Sequence, residues 1–492
     1  MPPLRLTSVL QTALPNLSEN GRAFLSVLGC FNGHPPGSHE LAQWLGFHDR
    51  YQLARALRRE GLPPLEVIGG WARTLYWMCE AERSGKSLRE LAEREKVDPA
   101  IAYRLVRRVT GRRWSEVRRE GLALAMVRFR DRCAKAATHS SADTGTPLEL
   151  AGHDRIPRPF PPTAPPRPFR GGAGGAQWRG VEPRAHATLR PAQRGPAQRV
   201  VQSISERVAI DGAPFDVAFA ASGEALVTRP HSAAVEVLQR NPLRATHTIR
   251  VGPTPTRVIA SPRNGNNGHI VYVTTQFGEA VRLIDIEQRH MVGSIPVPGH
   301  ALGAVLSPDG HTLFVTTNQD RLVAISTSQR TVVGSIAIPL ACPQLTIHPS
   351  GRWVLVPCWR AGVIVEVDAN TLAITRRFEV GGVVQDLVVP ADGQNLYAAN
   401  EAGWLDVIHL PSGRRTATLE FDTAALGLAL SADAAHLFVG LLGGGRVLVL
   451  QRQGLIERAA IPTGGRPRLI APHPAGDAVL VANEAGWVDL LR

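Results

Sequence analysis

The pentapeptide Asn-Glu-Ala-Gly-Trp occurs twice in this chain of 492 residues, at 400–404 and at 483–487. The flanking residues agree as well, since LYAANEAGWLDVI (396–408) reads against VLVANEAGWVDLL (479–491). A match of this length indicates an internal repeat, and the period of a repeat constrains the architecture of a chain more than local propensity does. The C-terminal part of the chain is therefore predicted to be a series of equivalent units.

A short turn recurs through this part of the chain in steps of 41 to 45 residues. It reads ASG (221–223), NNG (266–268), PDG (308–310), PSG (349–351), ADG (391–393), ADA (432–434) and PAG (474–476). Each turn is followed by a short apolar run such as Val271-Tyr-Val-Thr, and further β-rich runs complete four strands per unit. Seven units of this period and strand number predict an all-β, seven-bladed propeller.

The two ends of the series are expected to meet. The seventh unit stops at Arg492 after its third strand, and the run at 200–204 matches the fourth-strand run at 332–336. Pairing the first strand with the last blade closes the ring and removes an exposed edge. Residues 198–492 are therefore predicted to form a circularly closed propeller.

Several strand motifs carry a family resemblance. The runs VYVTT (271–275), LFVTTN (313–318) and LYAAN (396–400) and the turn SPDG (307–310) resemble the YVTN family of β-propeller repeats. The resemblance extends over all seven units, although the first, fourth and sixth depart from the strand motif. It implies the propeller fold and no particular activity, because this fold carries many unrelated functions.

The excess of basic residues lies before the propeller. Residues 1–135 carry 23 Lys and Arg against 14 Asp and Glu, and residues 136–200 carry 9 against 4. Residues 201–492 carry 23 against 24, so the whole of the net charge of +13 comes from the part before residue 201. This asymmetry predicts an acidic partner such as nucleic acid. Residues 136–197, rich in Pro, Gly and Arg, cannot bury a core and are predicted to form a disordered linker.

The N-terminal part shows helical patterning throughout. Seven helices are predicted, at 19–30, 39–45, 50–60, 65–83, 88–95, 99–110 and 114–131. Ser38 precedes the second of them, Ser87 and Glu90 fit a capping box, and Asp98 is an N-cap followed by proline. The tryptophans of this part are assigned to its core, namely Trp44, Trp71, Trp77 and Trp114.

Two stretches have the proportions of a helix–turn–helix. ELAQWLGFHDRYQLARALRREG (40–61) and ELAEREKVDPAIAYRLVRRVTG (90–111) align with a separation of 50 residues. The N-terminal part is therefore predicted to be an internal duplication, with the two units joined by the helix at 65–83.

Tandem helix–turn–helix units joined by one long helix are the arrangement of the AraC-type DNA-binding domain. LGFHDRYQLARALRREGLPP (45–64) resembles the signature of that family, and VDPAIAYRLVRRVTG (97–111), with Arg104, is similar to its companion unit. The second unit has Lys96 where the family's turn has glycine. The resemblance implies an all-α tandem helix–turn–helix domain over residues 1–135 that binds double-stranded DNA.

A helix–turn–helix places the first residues of its second helix on base edges in the major groove. Arg suits guanine and Gln suits adenine, whereas further arginines suit phosphates. The predicted base-facing residues are Arg50, Tyr51, Gln52, Arg55 and Arg104, and the predicted phosphate contacts are Arg58, Arg59, Arg107, Arg108, Arg112 and Arg113. In the alternative interpretation these arginines form a solvated helix face paired with Glu60, Glu90 and Glu93.

The loops after the second strand of each blade, with the loops that enter the blades, should form one face of the propeller. Their polar and aromatic groups are predicted to hold an unknown small molecule or a protein. The residues are Arg229, His231, His300, Asn318, Trp359, Arg360, Asn400, Glu401, Arg466, Asn483 and Glu484. The repeated pentapeptide is itself interpreted as a well-formed turn, with Trp404 and Trp487 packed between blades.

No catalytic pattern is found. The five cysteines lie too far apart for a CxxC or zinc motif, and neither a P-loop nor Gly-x-Ser-x-Gly occurs. No run of 18 apolar residues occurs either. We expect a cytoplasmic transcriptional regulator, not an enzyme, with no metal, cofactor or membrane span, whose propeller senses a ligand or docks a partner. The alternatives are a non-enzymatic protein-interaction scaffold and a lactonase-like propeller hydrolase.

Overall fold

The structure is a computed structural model that describes most of two parts of the chain. These are residues 6–140, except 32, 34–36, 46, 48 and 96, and residues 201–492, except 202, 263–267, 340–343, 359, 360 and 477. The predicted linker from residue 141 onward, the turn position Lys96, and Trp359 and Arg360 of the propeller face lie outside the described residues.

Eight helices are present within the described residues of the N-terminal part. They are α1 (Leu6–Ala13), α2 (Glu19–Cys30), α3 (Ser38–Trp44), α4 (Arg50–Arg59), α5 (Leu65–Ser84), α6 (Leu88–Arg94), α7 (Pro99–Thr110) and α8 (Trp114–Ser140). Seven of them confirm predicted helices, although α8 runs to Ser140 and is interrupted at Gly121, which has a φ of 80°. The first, α1, was not predicted, although Leu6, Val9 and Leu10 are buried at helical spacing.

The predicted helix caps are largely confirmed. The hydroxyl of Ser87 accepts from the Glu90 amide at 3.3 Å, and the Glu90 carboxylate accepts from the Ser87 amide at 2.7 Å. The Asp98 carboxylate accepts from the Ala100 amide at 2.7 Å. Ser38, in contrast, is the first residue of α3 rather than its cap, because the chain turns into the helix at the preceding glycine. The four tryptophans assigned to the core are all buried.

The C-terminal part consists of seven four-stranded antiparallel sheets. The strands of the first half are β1 (Ile204–Ala209), β2 (Val217–Phe219), β3 (Ala225–Arg229), β4 (Ala234–Arg240), β5 (Leu243–Arg250), β6 (Pro255–Ala260), β7 (Ile270–Thr275), β8 (Ala280–Asp285), β9 (His290–Pro296), β10 (Ala301–Leu306), β11 (Thr312–Thr317), β12 (Arg321–Ser326) and β13 (Thr331–Ala337). The strands of the second half are β14 (Thr346–Ile347), β15 (Trp353–Cys358), β16 (Val363–Asp368), β17 (Ile374–Glu379), β18 (Val384–Val388), β19 (Asn395–Asn400), β20 (Trp404–His409), β21 (Arg414–Glu420), β22 (Ala425–Leu430), β23 (His436–Leu441), β24 (Arg446–Gln451), β25 (Ile456–Pro462), β26 (Pro467–Pro472), β27 (Val479–Asn483) and β28 (Trp487–Leu491).

Blades one to six are built from consecutive strands, from β2–β5 to β22–β25, and blade seven is the sheet β26–β27–β28–β1. The seven-bladed propeller and its closure by the first strand are thus present as predicted. The closing strand starts at Ile204, however, and not at residue 200. Its register places Arg207 opposite Asp489, and their side chains pair at 2.6 Å. This ion pair sets a register that a match of apolar residues alone does not reveal.

Two buried carboxylates join neighbouring blades at the start of their innermost strands. Asp216, just before β2, accepts from the amide of Val258 in blade two at 2.9 Å. Asp386, in β18, accepts from the amide of Leu428 in blade six at the same distance. Burial raises the pKa of Asp386 to about 6. These bonds hold pairs of blades at a fixed spacing around the ring axis.

The repeated pentapeptide is a hydrogen-bonded turn. Asn483 Oδ1 accepts from the amides of Arg466 and Ala485 at 2.7 and 3.1 Å, and its Nδ2 donates to the Gly464 carbonyl at 2.9 Å. Asn400 makes the equivalent three bonds in blade five. In this way the asparagine ties the loop after the second strand of a blade to the loop that enters the same blade.

The tryptophans of the pentapeptide also have a shared role. The indole N–H groups of Trp404 and Trp487 donate to the carboxylates of Asp406 and Asp489, at 3.0 and 3.1 Å. Each aspartate stands two residues after its tryptophan, so the two side chains lie on the same side of one strand. The two copies of the repeat therefore share the asparagine, the Gly-Trp pair and a buried aspartate at the same spacing. In the described structure these residues shape the blade.

The clamp formed by Asn483 is testable by mutation. Asn483→Ala removes three partly buried hydrogen bonds to the backbone, and we expect the unfolding free energy to fall by about 2–3 kcal/mol. Urea denaturation of the full-length protein, followed by circular dichroism, measures the change. Ala485→Ser, at the exposed neighbouring position, is the control and is expected to change stability by less than about 0.5 kcal/mol. Equal effects of the two substitutions would contradict the clamp.

Candidate nucleic-acid interface and the propeller face

The helix α4 carries most of the predicted base-facing residues. The carboxylate of Asp49 caps it by accepting from the amides of Tyr51 and Gln52 at 2.8 and 2.7 Å. Leu53 and Leu57 are buried and fix the inward side of the helix. The predicted base-facing residues of this helix are all exposed, namely Arg50, Tyr51, Gln52 and Arg55.

The helix α7 repeats this arrangement. Asp98 caps it, and Ala102 and Val106 are its buried residues. The cap and the buried residues of α7 thus lie 49 residues after the corresponding residues of α4. The sequence alignment of the two units used an offset of 50 residues. The difference arises because four residues separate α6 from α7, and five separate α3 from α4. With the corrected offset, Arg104 is equivalent to Arg55, and Ile101 is equivalent to Gln52.

The arginines on the outward sides of these helices, or just after α7, are exposed and lack carboxylate partners among the described residues. They are Arg55, Arg58, Arg59, Arg104, Arg107, Arg108 and Arg113. Two other predicted contacts have partners. Arg112 pairs with Glu120 at 2.8 Å, and Arg50 donates to the hydroxyl of Tyr51 at 3.0 Å and lies over its ring.

The acids that the alternative interpretation assigned to these arginines bond elsewhere. Glu60 accepts from the backbone amide and hydroxyl of Ser18. Glu90 belongs to the capping box of α6, and Glu93 pairs with Arg89 at 2.9 Å. The positive charge on α4 and α7 is therefore not neutralised by these three carboxylates.

In four blades of the propeller, the loop after the second strand is hydrogen-bonded to the loop that enters the same blade. The amides of Gln276, Asn318, Glu401 and Glu484, each after a second strand, donate to carbonyls in the loop that enters the same blade. Several of the predicted polar groups are already engaged there. Arg229 pairs with Glu236 at 2.5 Å, Arg466 pairs with Glu484 at 3.3 Å, and Glu401 accepts from Gln385 at 2.7 Å.

Part of this face is covered by the helical domain. Phe277, in the loop after β7, is only 3% exposed and belongs to the hydrophobic core of the helices. The turn Pro230–Ser232 of blade one contacts α3, and the ring of His231 stacks on Trp44 with centroids 6.2 Å apart. Blades one to three thus present their loops to this chain's own helical domain.

Polar bonds surround the apolar contact. The hydroxyl of Thr254 donates to the carbonyl of Trp44 at 2.8 Å. Glu279 accepts from Gln11 at 3.1 Å and pairs with Arg22 at 3.0 Å. The contact thus combines the apolar burial of Phe277 with directional bonds, as specific interfaces do.

His300 connects the two parts of the chain at this contact. The Ser26 hydroxyl donates to the Arg22 carbonyl at 2.8 Å, so it accepts from His300 Nε2, also at 2.8 Å. On the other side of the ring, Asn318 Nδ2 donates to His300 Nδ1 at 3.0 Å. His300 is therefore assigned as the neutral Nε2–H tautomer. Burial lowers its pKa to about 4, so it stays neutral near pH 7.

Comparison with known proteins supports the fold of the second part. No protein-family model matches this sequence, and the curated proteins give no match. Among solved structures, Kuenenia stuttgartiensis hydrazine synthase is similar to this chain, with a TM-score of 0.51 and 19% sequence identity. The similarity covers 61% of this chain and 99% of that chain. At this identity it shows the fold alone, which is that of a β-propeller.

The described residues hold neither a metal-binding cluster nor a membrane-spanning helix. Within them, no group of three or more His, Cys, Asp and Glu side chains is placed to hold a metal ion. None of the helices there is long and apolar enough to cross a membrane. The two basic helices, α4 and α7, and the propeller face on which the helical domain docks are the candidate functional surfaces.

The docking contact predicts the effect of removing Phe277. Phe277→Ala leaves a cavity in the helical core, and a buried Phe→Ala change costs about 3–5 kcal/mol. We expect amide hydrogen exchange in α2 and α3 to accelerate, with exchange in blades four to six unchanged. Val333→Ala, at an exposed position of β13, is the control and should leave exchange in α2 and α3 at its wild-type rate. Unchanged exchange in Phe277→Ala would show that the contact does not stabilise the helices.

Proposed function

We propose that this protein is a DNA-binding transcriptional regulator. In this proposal α4 and α7 are the recognition helices of two helix–turn–helix units, as the AraC-type resemblance implies. The observation that carries the proposal is the set of seven exposed arginines on or just after two aspartate-capped helices, with no carboxylate partners among the described residues. Duplex DNA offers the density of phosphates that matches such a surface.

The packing of the helices agrees with this role. The propeller contacts the N-terminal part through α1, α2 and α3, by way of Gln11, Ser26 and Trp44. The predicted base-facing residues of α4 and α7 remain exposed beside this contact. Docking on the propeller therefore leaves the proposed DNA-binding surface open.

We assign the propeller the role of a ligand-sensing or protein-interaction module. A molecule bound on its face next to His231 or His300 would lie against the docked helices. Such a molecule can shift the equilibrium between the docked and undocked states of the helical domain only by the ratio of its affinities for the two states. The proposal includes a cytoplasmic location, where a regulator meets DNA.

Charge reversal on the recognition helices tests the DNA-binding proposal. Electrophoretic mobility shift of the full-length protein with genomic fragments is expected to show sequence-selective binding. Arg55→Glu and Arg104→Glu, each in the full chain, should weaken this binding by about tenfold to a hundredfold, since each removes a base contact worth about 1–3 kcal/mol.

The matched control is Arg377→Glu, the same charge change at an exposed position of β17 in the propeller. It is expected to leave binding within about twofold of wild type, because Arg377 belongs to a strand of the propeller and not to the proposed recognition helices. Wild-type affinity in both helix variants, or an absence of selective binding by the wild-type protein, would contradict the proposed function.

A further inference from the structure

The outward side of α7 carries a large apolar side chain in its first turn. Ile101 is 50% exposed, whereas its neighbour Ala102 is fully buried. Ile101 is the third residue after the cap Asp98, just as Gln52 is the third residue after Asp49. The position that holds an amide in the first unit therefore holds a branched alkyl group in the second.

The surroundings of Ile101 on this helix are basic. Arg104 and Arg108 follow it at spacings of three and seven residues, so the three side chains share one side of α7. Both arginines are exposed and lack carboxylate partners among the described residues. An apolar groove of a protein partner would have to bury these two charges next to the isoleucine, at a large desolvation cost. A DNA major groove instead offers phosphates to the arginines and base edges to the first turn.

Among the four bases, thymine alone presents a methyl group in the major groove, and apolar side chains contact it there. We propose that Ile101 reads a thymine through its 5-methyl group, whereas Gln52 reads its base by hydrogen bonds. This inference rests on the proposed DNA binding and deepens it. In this inference the first helix–turn–helix unit recognises its base by hydrogen bonds. The second unit recognises a thymine methyl group, with arginine contacts beside it.

The test removes single methyl groups from the DNA. The full-length protein selects duplexes from a random pool, and each thymine of a selected duplex is replaced in turn by deoxyuridine, which keeps base pairing. At one thymine the wild-type protein is expected to bind about fourfold more weakly after the replacement, as for one methyl group returned to water.

Two variants assign the effect to a residue. Ile101→Ala, a change at an exposed position, is expected to bind the thymine and deoxyuridine duplexes equally. Gln52→Ala is the matched variant at the equivalent position of α4, and it should keep the fourfold preference at that thymine while binding both duplexes more weakly.

The possible failures are distinguishable. Equal binding of every deoxyuridine duplex by the wild-type protein, with selection and salt dependence intact, overturns the methyl contact and leaves DNA binding in place. A thymine preference that persists unchanged in Ile101→Ala also overturns it. If the protein selects no duplex, both this inference and the proposed function are overturned.

Discussion

The burial of Phe277 in the core of the helices is the contact on which the arrangement of the two parts depends. This side chain leaves the propeller from the loop after β7 and is almost fully buried among helical residues. Around it, His300 bonds to Ser26, and Glu279 bonds to Gln11 and Arg22. Apolar burial supplies the stabilisation of such a contact, and the polar bonds select one orientation.

This contact changes how the propeller face is understood. The face was predicted to hold a ligand or a partner, and on blades one to three the structure shows it against the chain's own helices. A neutral, buried His300 suits this position, because a protonated ring would place an N–H against the donor group of Asn318. In the proposed function, ligand sensing by the propeller and DNA binding by the helices share this contact.

Much of the propeller could be predicted from the sequence, because a period near 42 residues and recurring turns are local signals that repeat seven times. The asparagine clamps of the pentapeptide are likewise part of that repeat. The register of β1 was not predictable from its apolar residues, since the pairing of Arg207 with Asp489 sets it. The role of Phe277 was missed because an aromatic residue in a loop gives no sequence signal of a distant partner.

In the helical part, the caps and buried positions were predictable from capping residues and spacing, but the offset between the two units was not. The loop before α7 is one residue shorter than the loop before α4, and only the structure aligns Ile101 with Gln52. The sequence could not show that the arginines lack carboxylate partners, because Glu60, Glu90 and Glu93 lie close to them along the chain. Only the structure shows that these three acids bond elsewhere.

The central claim is that these arginines bind the phosphates of duplex DNA. The most direct measurement is the affinity of the full-length protein for a fluorescent duplex, by anisotropy, between about 50 and about 200 mM salt. If about six phosphates are neutralised, the logarithm of the binding constant should fall with the logarithm of salt concentration with a slope of about −5. No binding at the lowest salt, or a slope near zero, would contradict the account.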